Sequence, residues 1–119
     1  MNGAAIALVA AGGALGSVVR YLVSVLALEW LGAAFPWGTL AVNVIGSALI
    51  GVLAGLGVSG DWRLFLVTGC MGGFTTFSAF SLETGMLFER SPALAALYVV
   101  MSLALGLGAF AAGLLLIRN

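Results

Sequence analysis

Four long apolar segments follow one another along this chain, with short polar stretches between them. They cover residues 4–28, 37–56, 62–88 and 92–117, and each has about the 20 residues that a helix needs to cross a bilayer. The connectors leave no room for a soluble domain. Pro36 and Pro92 stand where the second and fourth helices would begin, a position that tolerates proline. The pattern predicts an all-α membrane protein in which residues 1–119 form one domain of four transmembrane helices.

The third segment differs from the other three because its centre is rich in glycine, hydroxyl and phenylalanine residues. Residues 69–81 include the pair Gly72 and Gly73, and each glycine inside a helix costs about 1 kcal/mol relative to alanine. The hydroxyls of Thr75 and Thr76 could bond to the backbone groups that a break would free. Irregular backbone in a bilayer persists only where protein buries it or where it lines a polar cavity. We therefore expect the third helix to break in mid-span and to form a site there.

Composition supports a multi-pass protein of the cell membrane and argues against catalysis. The chain is 63% hydrophobic and 7% charged, whereas soluble domains have about 25% charged residues. The net charge is zero and no basic stretch suggests nucleic acid. Histidine and lysine do not occur, and the single Cys70, interpreted as a small buried residue, excludes an internal disulfide. Only one acid, Glu83, falls inside a predicted helix, and no nucleophile has a base at helical spacing, so an enzyme is not expected.

The four arginines are divided evenly between the two predicted sides of the membrane. Arg63 and Arg118 share a side with the N-terminus, and Arg20 and Arg90 lie toward the other. Positive charge normally fixes orientation, so this balance is compatible with insertion in both directions. Two opposite copies could then pair about an axis in the membrane plane, as an antiparallel dual-topology homodimer.

Three polar residues within the spans each admit two interpretations. Asn43 needs hydrogen-bond partners in hydrocarbon, which it would find by joining two helices or by lining a pore. Arg20 lies deep in the first segment and is either functional or simply reaches toward the interface or an acid. Glu83 either lies at an aqueous vestibule or is an ordinary interfacial acid. Glycines at spacings of four favour packing seams between helices and oligomerisation.

Phe77 and Phe80 bracket a serine and an alanine directly after the expected break. The edge of an aromatic ring is its positive part, so two edges along a narrow path would attract an anion; lipid contact or packing is the alternative. Uncharged donors elsewhere in the spans would suit a small, strongly hydrated anion that must bind without being trapped. These donors are Thr39, Asn43, Ser78, Ser81, Tyr98 and Ser102.

Three motifs, in order and over nearly the whole chain, resemble those of the Fluc-type (CrcB-type) fluoride channels. They are Gly12-Gly13-x-x-Gly16-x-x-x-Arg20-Tyr21, Gly38-Thr39-Leu40-x-Val42-Asn43-x-x-Gly46 and Gly72-Gly73-Phe74-Thr75-Thr76-Phe77-Ser78-x-Phe80-Ser81. The resemblance implies passive export of cytoplasmic fluoride by an antiparallel homodimer with two pores. Phe77 and Phe80 would be the pore phenylalanines with Asn43 beside them, and Tyr98 and Ser102 would belong to a polar track on the fourth helix.

The resemblance also implies a structural sodium ion at the dimer centre, bound by the backbone carbonyls of Gly72 and Thr75. Arg20 would be the arginine of the vestibule, and Glu83 an acid near a pore mouth. Two residues depart from the family pattern, since Ala79 replaces the usual threonine and Gly106 replaces an expected serine.

Two other functions fit a chain of this kind less well. A proton-coupled small multidrug exporter is also a dual-topology dimer of four-helix chains, but it needs an acid embedded in the first helix, where this chain has none before Glu29. A non-transporting assembly subunit would explain the glycines but would leave Asn43 and the irregular third segment without a role.

Overall fold

The computed structural model describes residues 2–118, and within that range all regular structure is helical. The helices are α1 (Gly3–Leu31), α2 (Trp37–Gly55), α3 (residues 60–74), α4 (Phe77–Arg90) and α5 (Pro92–Arg118). Helices α3 and α4 together form one span, so the described chain has four segments long and apolar enough to cross a membrane. The predicted all-α architecture with four spans is confirmed.

Two helices run further than the sequence suggested. Helix α1 begins after Asn2, whose side chain accepts a hydrogen bond from the Ala5 N–H (2.7 Å), and it ends at Gly32, whose φ of 80° favours glycine. Nothing between residues 28 and 32 interrupts a helix, so the expected connector over residues 29–36 was too long. Helix α4 likewise continues through Arg90 and leaves Ser91 as the whole connector to α5.

The third span is broken, but the break does not lie at the glycine pair. Gly72 is helical (φ −61°, ψ −38°), and the extended residues are Thr75 (ψ 157°) and Thr76 (ψ 120°). Before the break, residues 64–71 form a π-helix, which the run of apolar residues did not indicate. Pi-helical turns are rare and occur often at functional sites.

Of the glycine pair, Gly73 serves close packing between α1 and α3, whereas a Cβ on Gly72 would meet only the Val67 carbonyl oxygen of its own helix, at 3.8 Å. A Cβ on Gly73 would lie 3.0 Å from the Gly13 Cα, and one on Gly16 would lie 2.8 Å from the Phe74 nitrogen and overlap the Cys70 carbonyl oxygen. The two backbones therefore touch, as small residues permit in membrane helices. Cys70 is buried in this contact region.

A second seam of the same kind joins α2 to α5. A Cβ on Gly51 would lie 3.0 Å from the Leu114 nitrogen, and one on Gly113 would lie 3.1 Å from the Val52 nitrogen. Between the two seams, a small core of Leu40, Leu87, Ala95 and Tyr98 joins α2, α4 and α5. The two seams fix the positions of α2 and α3, the helices that carry the site.

We predict that Gly16→Ala lowers the thermal stability of the purified protein, because the new methyl group would push α1 away from α3. Overpacking of this kind costs about 1–3 kcal/mol. Gly13→Ala is the matched control, since a Cβ at Gly13 meets nothing within 4 Å in this chain. Thermal unfolding in detergent should show a lower midpoint for Gly16→Ala alone. Equal midpoints for the two variants would contradict the packing described here.

Candidate functional site

The side-chain amide of Asn43 satisfies both backbone groups of Thr76 at the break. Its Nδ2 donates to the Thr76 carbonyl oxygen (3.0 Å), and its Oδ1 accepts from the Thr76 N–H (2.8 Å). The amide thus takes the place of a backbone partner for an extended residue in mid-membrane. Asn43 thus joins α2 to the break by hydrogen bonds. The second N–H of the amide is left for another acceptor, and a pore-lining role for Asn43 stays a prediction.

Other polar groups on both sides of the break are bonded locally. The Thr75 N–H and hydroxyl both donate to the Met71 carbonyl oxygen (2.9 Å each). Thr76 caps α4, since its Oγ1 accepts from the Ala79 N–H (3.1 Å). Arg20 donates from Nε to the Gly73 carbonyl oxygen (3.0 Å), which places a cation at the negative end of the α3 dipole.

An open cavity of about 270 Å³ lies beside the break, and we call it the break cavity. Of the residues proposed from sequence, it brings together Asn43, Thr75, Phe77, Phe80 and Ser102. The two phenylalanine rings are 5.7 Å apart between centroids, and Phe77 is 79% exposed in a single chain. The Ser102 Oγ is buried and has no hydrogen-bond partner among residues 2–118. No charged side chain lines this cavity.

A second polar group forms around the carboxylate of Glu83. Thr39 donates to Glu83 Oε1 (2.7 Å), and the Tyr98 hydroxyl lies 3.5 Å from Oε2. Both Thr39 and Tyr98 are buried. Thr39 and Glu83 also line a second open cavity of about 280 Å³, the linker cavity, which is bounded by residues 32–36 between α1 and α2 and by Arg90.

A row of aromatic rings connects the two cavities. Phe77 and Phe80 line the break cavity, and the ring of Phe80 lies 5.2 Å from that of Tyr98. The next ring in the row is Phe35, whose centroid lies 5.4 Å from that of Tyr98 in an edge-to-face arrangement. The ring of Trp37 comes last, with its centroid 4.7 Å from that of Phe35. Phe35 and Trp37 line the linker cavity. The rings therefore form an unbroken row of contacts from one cavity to the other.

Five residues proposed from sequence line neither cavity in the single chain: Arg20, Gly72, Ser78, Ser81 and Tyr98, the last of which lies between the cavities in the aromatic row. Ser78 is exposed, with its Oγ 3.4 Å from Thr76 Oγ1, and Ser81 donates to the Phe77 carbonyl oxygen (3.1 Å). Arg20 is engaged with Gly73 and lines neither cavity. Pore roles for the two serines and a vestibule role for Arg20 stay predictions.

Ser47 belongs to the stripe of small and polar residues on the second predicted span (Thr39, Asn43, Ser47, Gly51 and Gly55), but it was not among the proposed pore residues. It lines the break cavity beside Asn43, and its Oγ lies 3.7 Å from the place where a Cβ on Gly106 would be. A hydroxyl from α2 thus stands next to the position on α5 where a serine was expected. The spacing of four residues from Asn43 was the available signal; it indicated a packing seam for the glycines of the stripe and left the role of its polar members open.

These features define a multi-pass membrane protein with a polar cavity at a break in its third span. The family model described as "CrcB-like protein, Camphor Resistance (CrcB)" matches residues 7–114, and the chain belongs to this family. The resemblance noted from the motifs is thereby confirmed.

Several relatives are similar over nearly their full length. One from Agrobacterium fabrum is 56% identical over 120 residues, with 96% of each chain covered. Relatives from Erythrobacter litoralis (53% identical; 92% of this chain and 89% of that one) and Nitrobacter winogradskyi (54% identical; 92% of each) are comparable. All three are named fluoride-specific ion channel FluC. They are named as channels and not as enzymes, in agreement with the expectation from the sequence.

We predict that Asn43→Ala and Asn43→Asp both destabilise the protein. Alanine would leave the Thr76 N–H and carbonyl unpaired, at a cost of about 1–3 kcal/mol each, and aspartate would turn an oxygen toward the carbonyl that now receives an N–H. Ser47→Ala, one turn further along α2, is the control because the Ser47 hydroxyl makes no hydrogen bond with any of residues 2–118. Thermal unfolding should separate the two Asn43 variants from Ser47→Ala. If Asn43→Ala unfolds at the same temperature as Ser47→Ala, the amide of Asn43 does not stabilise the break.

Proposed function

We propose that this protein is a passive, fluoride-selective ion channel of the cell membrane that exports cytoplasmic fluoride. The observation that carries the proposal is the break cavity, in which uncharged donors stand beside two phenylalanine rings. The names of the relatives, at 53% identity or more over nearly the whole chain, support the same ion.

The chemistry of the break cavity suits a small anion. Ser47 and Ser102 offer hydroxyls, and Asn43 has one N–H beyond the one that it gives to Thr76. Phe77 and Phe80 add the positive edges of their rings. Together these groups would replace part of the water around fluoride. Because none of them is charged, the ion would not be held too strongly to leave.

The same geometry favours an antiparallel homodimer with two pores. The break cavity is open, and Phe77 is 79% exposed in one chain. A cavity lined by an extended backbone and unpaired donors is not stable against lipid, so a second copy is the covering that fits. The even division of the arginines between the two sides supports an antiparallel pair. Each copy would then contribute one break cavity.

A structural sodium ion at the centre of this dimer fits the pattern of hydrogen bonds at the break. Within residues 2–118, the carbonyl oxygens of Met71, Gly73 and Thr76 accept hydrogen bonds, and none is found to those of Gly72 or Thr75. Two oxygens are fewer than a hard cation takes, so a second copy would supply the rest. The ion would offset the partial negative charges of the carbonyl oxygens.

We predict that Phe77→Ile and Phe80→Ile each slow fluoride efflux from liposomes that contain only this protein. Losing a ring edge removes an interaction of about 1 kcal/mol, which corresponds to roughly a five- to ten-fold change in rate. Phe88→Ile is the control, because Phe88 is exposed and lines neither cavity. A fluoride electrode records the efflux, and chloride in the same assay should stay inside. Unchanged efflux in both variants would show that the rings only pack.

We also predict that Thr39→Val slows fluoride efflux whereas Thr39→Ser does not. Valine keeps the shape of threonine but removes the hydrogen bond to Glu83 Oε1, and the unpaired carboxylate oxygen would repel an anion on the aromatic row. The expected loss is about ten-fold, the effect of roughly 1.4 kcal/mol. Gel filtration checks that the variants assemble alike. Equal rates of fluoride efflux for Thr39→Val and Thr39→Ser would show that Thr39 and Glu83 do not belong to the pathway.

A further inference from the structure

The linker cavity has a carboxylate at one end and a guanidinium at the other. Glu83 and Arg90 both line it, and both belong to α4. Seven residues separate them, so they lie on nearly the same face of the helix, about 10 Å apart along its axis. Arg90 is the last residue of α4 and therefore marks the end of the cavity nearer the membrane surface.

The side chain of Arg90 is anchored at this position. Its Nη2 donates to the carbonyl oxygen of Ala34 (2.5 Å), which ties the end of α4 to the linker between α1 and α2. Ala34 precedes Phe35, whose ring packs edge-to-face against that of Tyr98. The charge of Arg90 is thus held beside the cavity, next to the last part of the aromatic row.

Arg90 is also the only cation near this membrane surface in the described chain, because Arg20, on the same half of α1, lies about three turns before the end of that helix and donates to the Gly73 carbonyl. Glu29 and Glu89 are exposed near the same membrane surface, and Glu83 lies below them. Arg63 and Arg118 belong to the opposite end, where α3 begins and α5 ends. An anion that approaches the linker cavity therefore meets three carboxylates and one guanidinium.

We infer that the linker cavity is an access route for the transported anion and that Arg90 guides the anion into it electrostatically. The inference rests on the proposed function as a fluoride channel. A charged group at the mouth of a cleft raises the local concentration of the opposite charge. The effect depends on salt, because the screening length falls from about 30 Å at 0.01 M to about 3 Å at 1 M ionic strength. Arg90 would act before the ion is dehydrated, unlike the donors of the break cavity.

Single-channel fluoride currents in planar bilayers at two ionic strengths test this role. Ionic strength is set to about 0.02 M and about 0.5 M with a large impermeant anion such as gluconate. Arg90→Gln should lower the current about two- to five-fold at low ionic strength, the size expected for loss of one unit charge within about 10 Å of the path. At high ionic strength the deficit should nearly disappear.

Three further variants separate charge from structure. Arg90→Lys keeps the charge and should conduct like the original chain. Arg118→Gln removes an exposed arginine that lines neither cavity and should change the salt dependence less than Arg90→Gln does. Glu89→Gln removes a neighbouring carboxylate and should raise the current at low ionic strength, so the test does not depend on Arg90→Gln alone if that variant folds poorly.

The outcomes distinguish this inference from the proposed function. If the unaltered protein carries no fluoride current, the proposed function fails. If it conducts, and Arg90→Gln lowers the current equally at both ionic strengths or not at all, the guidance by Arg90 is overturned and the channel function stands. A current that Glu89→Gln leaves unchanged at low ionic strength would also count against the inference.

Discussion

A broken helix inside a bilayer frees backbone N–H and C=O groups that lipid cannot satisfy, and the structure depends on how those groups are paired. The amide of Asn43 bonds to both backbone groups of Thr76, and the guanidinium of Arg20 bonds to the Gly73 carbonyl. Each partner comes from a different helix. The break is therefore held only if α1, α2 and α3 keep their present distances, and this requirement explains why glycines line their contacts.

The close approach of α1 and α3 links packing to the polar pathway. Because Gly73 packs against Gly13, Arg20, two turns further along α1, can reach the Gly73 carbonyl. The cation is thereby committed to the end of α3 and kept out of the break cavity, which is lined without charge. A fixed charge binds an opposite ion far more strongly in a medium of low dielectric than in water. Keeping the guanidinium of Arg20 out of the break cavity is therefore compatible with rapid passage of an anion.

The sequence predicted the four spans and a break in the third, because length, apolar character and the unusual residues 69–81 are local signals. It did not show which of those residues leave the helix, since glycine can mark either a weak helix or a close contact between helices. Here Gly73 marks a contact with α1, and Thr75 and Thr76 are the extended residues, directly before Phe77. The role of Ser47 and the aromatic row through Phe35 depend on distances between helices, which spacing along one helix cannot give.

The separation of charged from uncharged groups along the pathway has a physical reason. Deep in the membrane, where water is scarce, uncharged hydroxyl, amide and ring-edge groups can replace hydration without trapping the ion. Near the surface water screens charge, and a carboxylate such as Glu83 is tolerable because Thr39 donates to it and Tyr98 lies beside it. There a guanidinium such as Arg90 can act over many ångströms without binding tightly. Depth in the membrane thus decides which chemistry each part of the pathway can use.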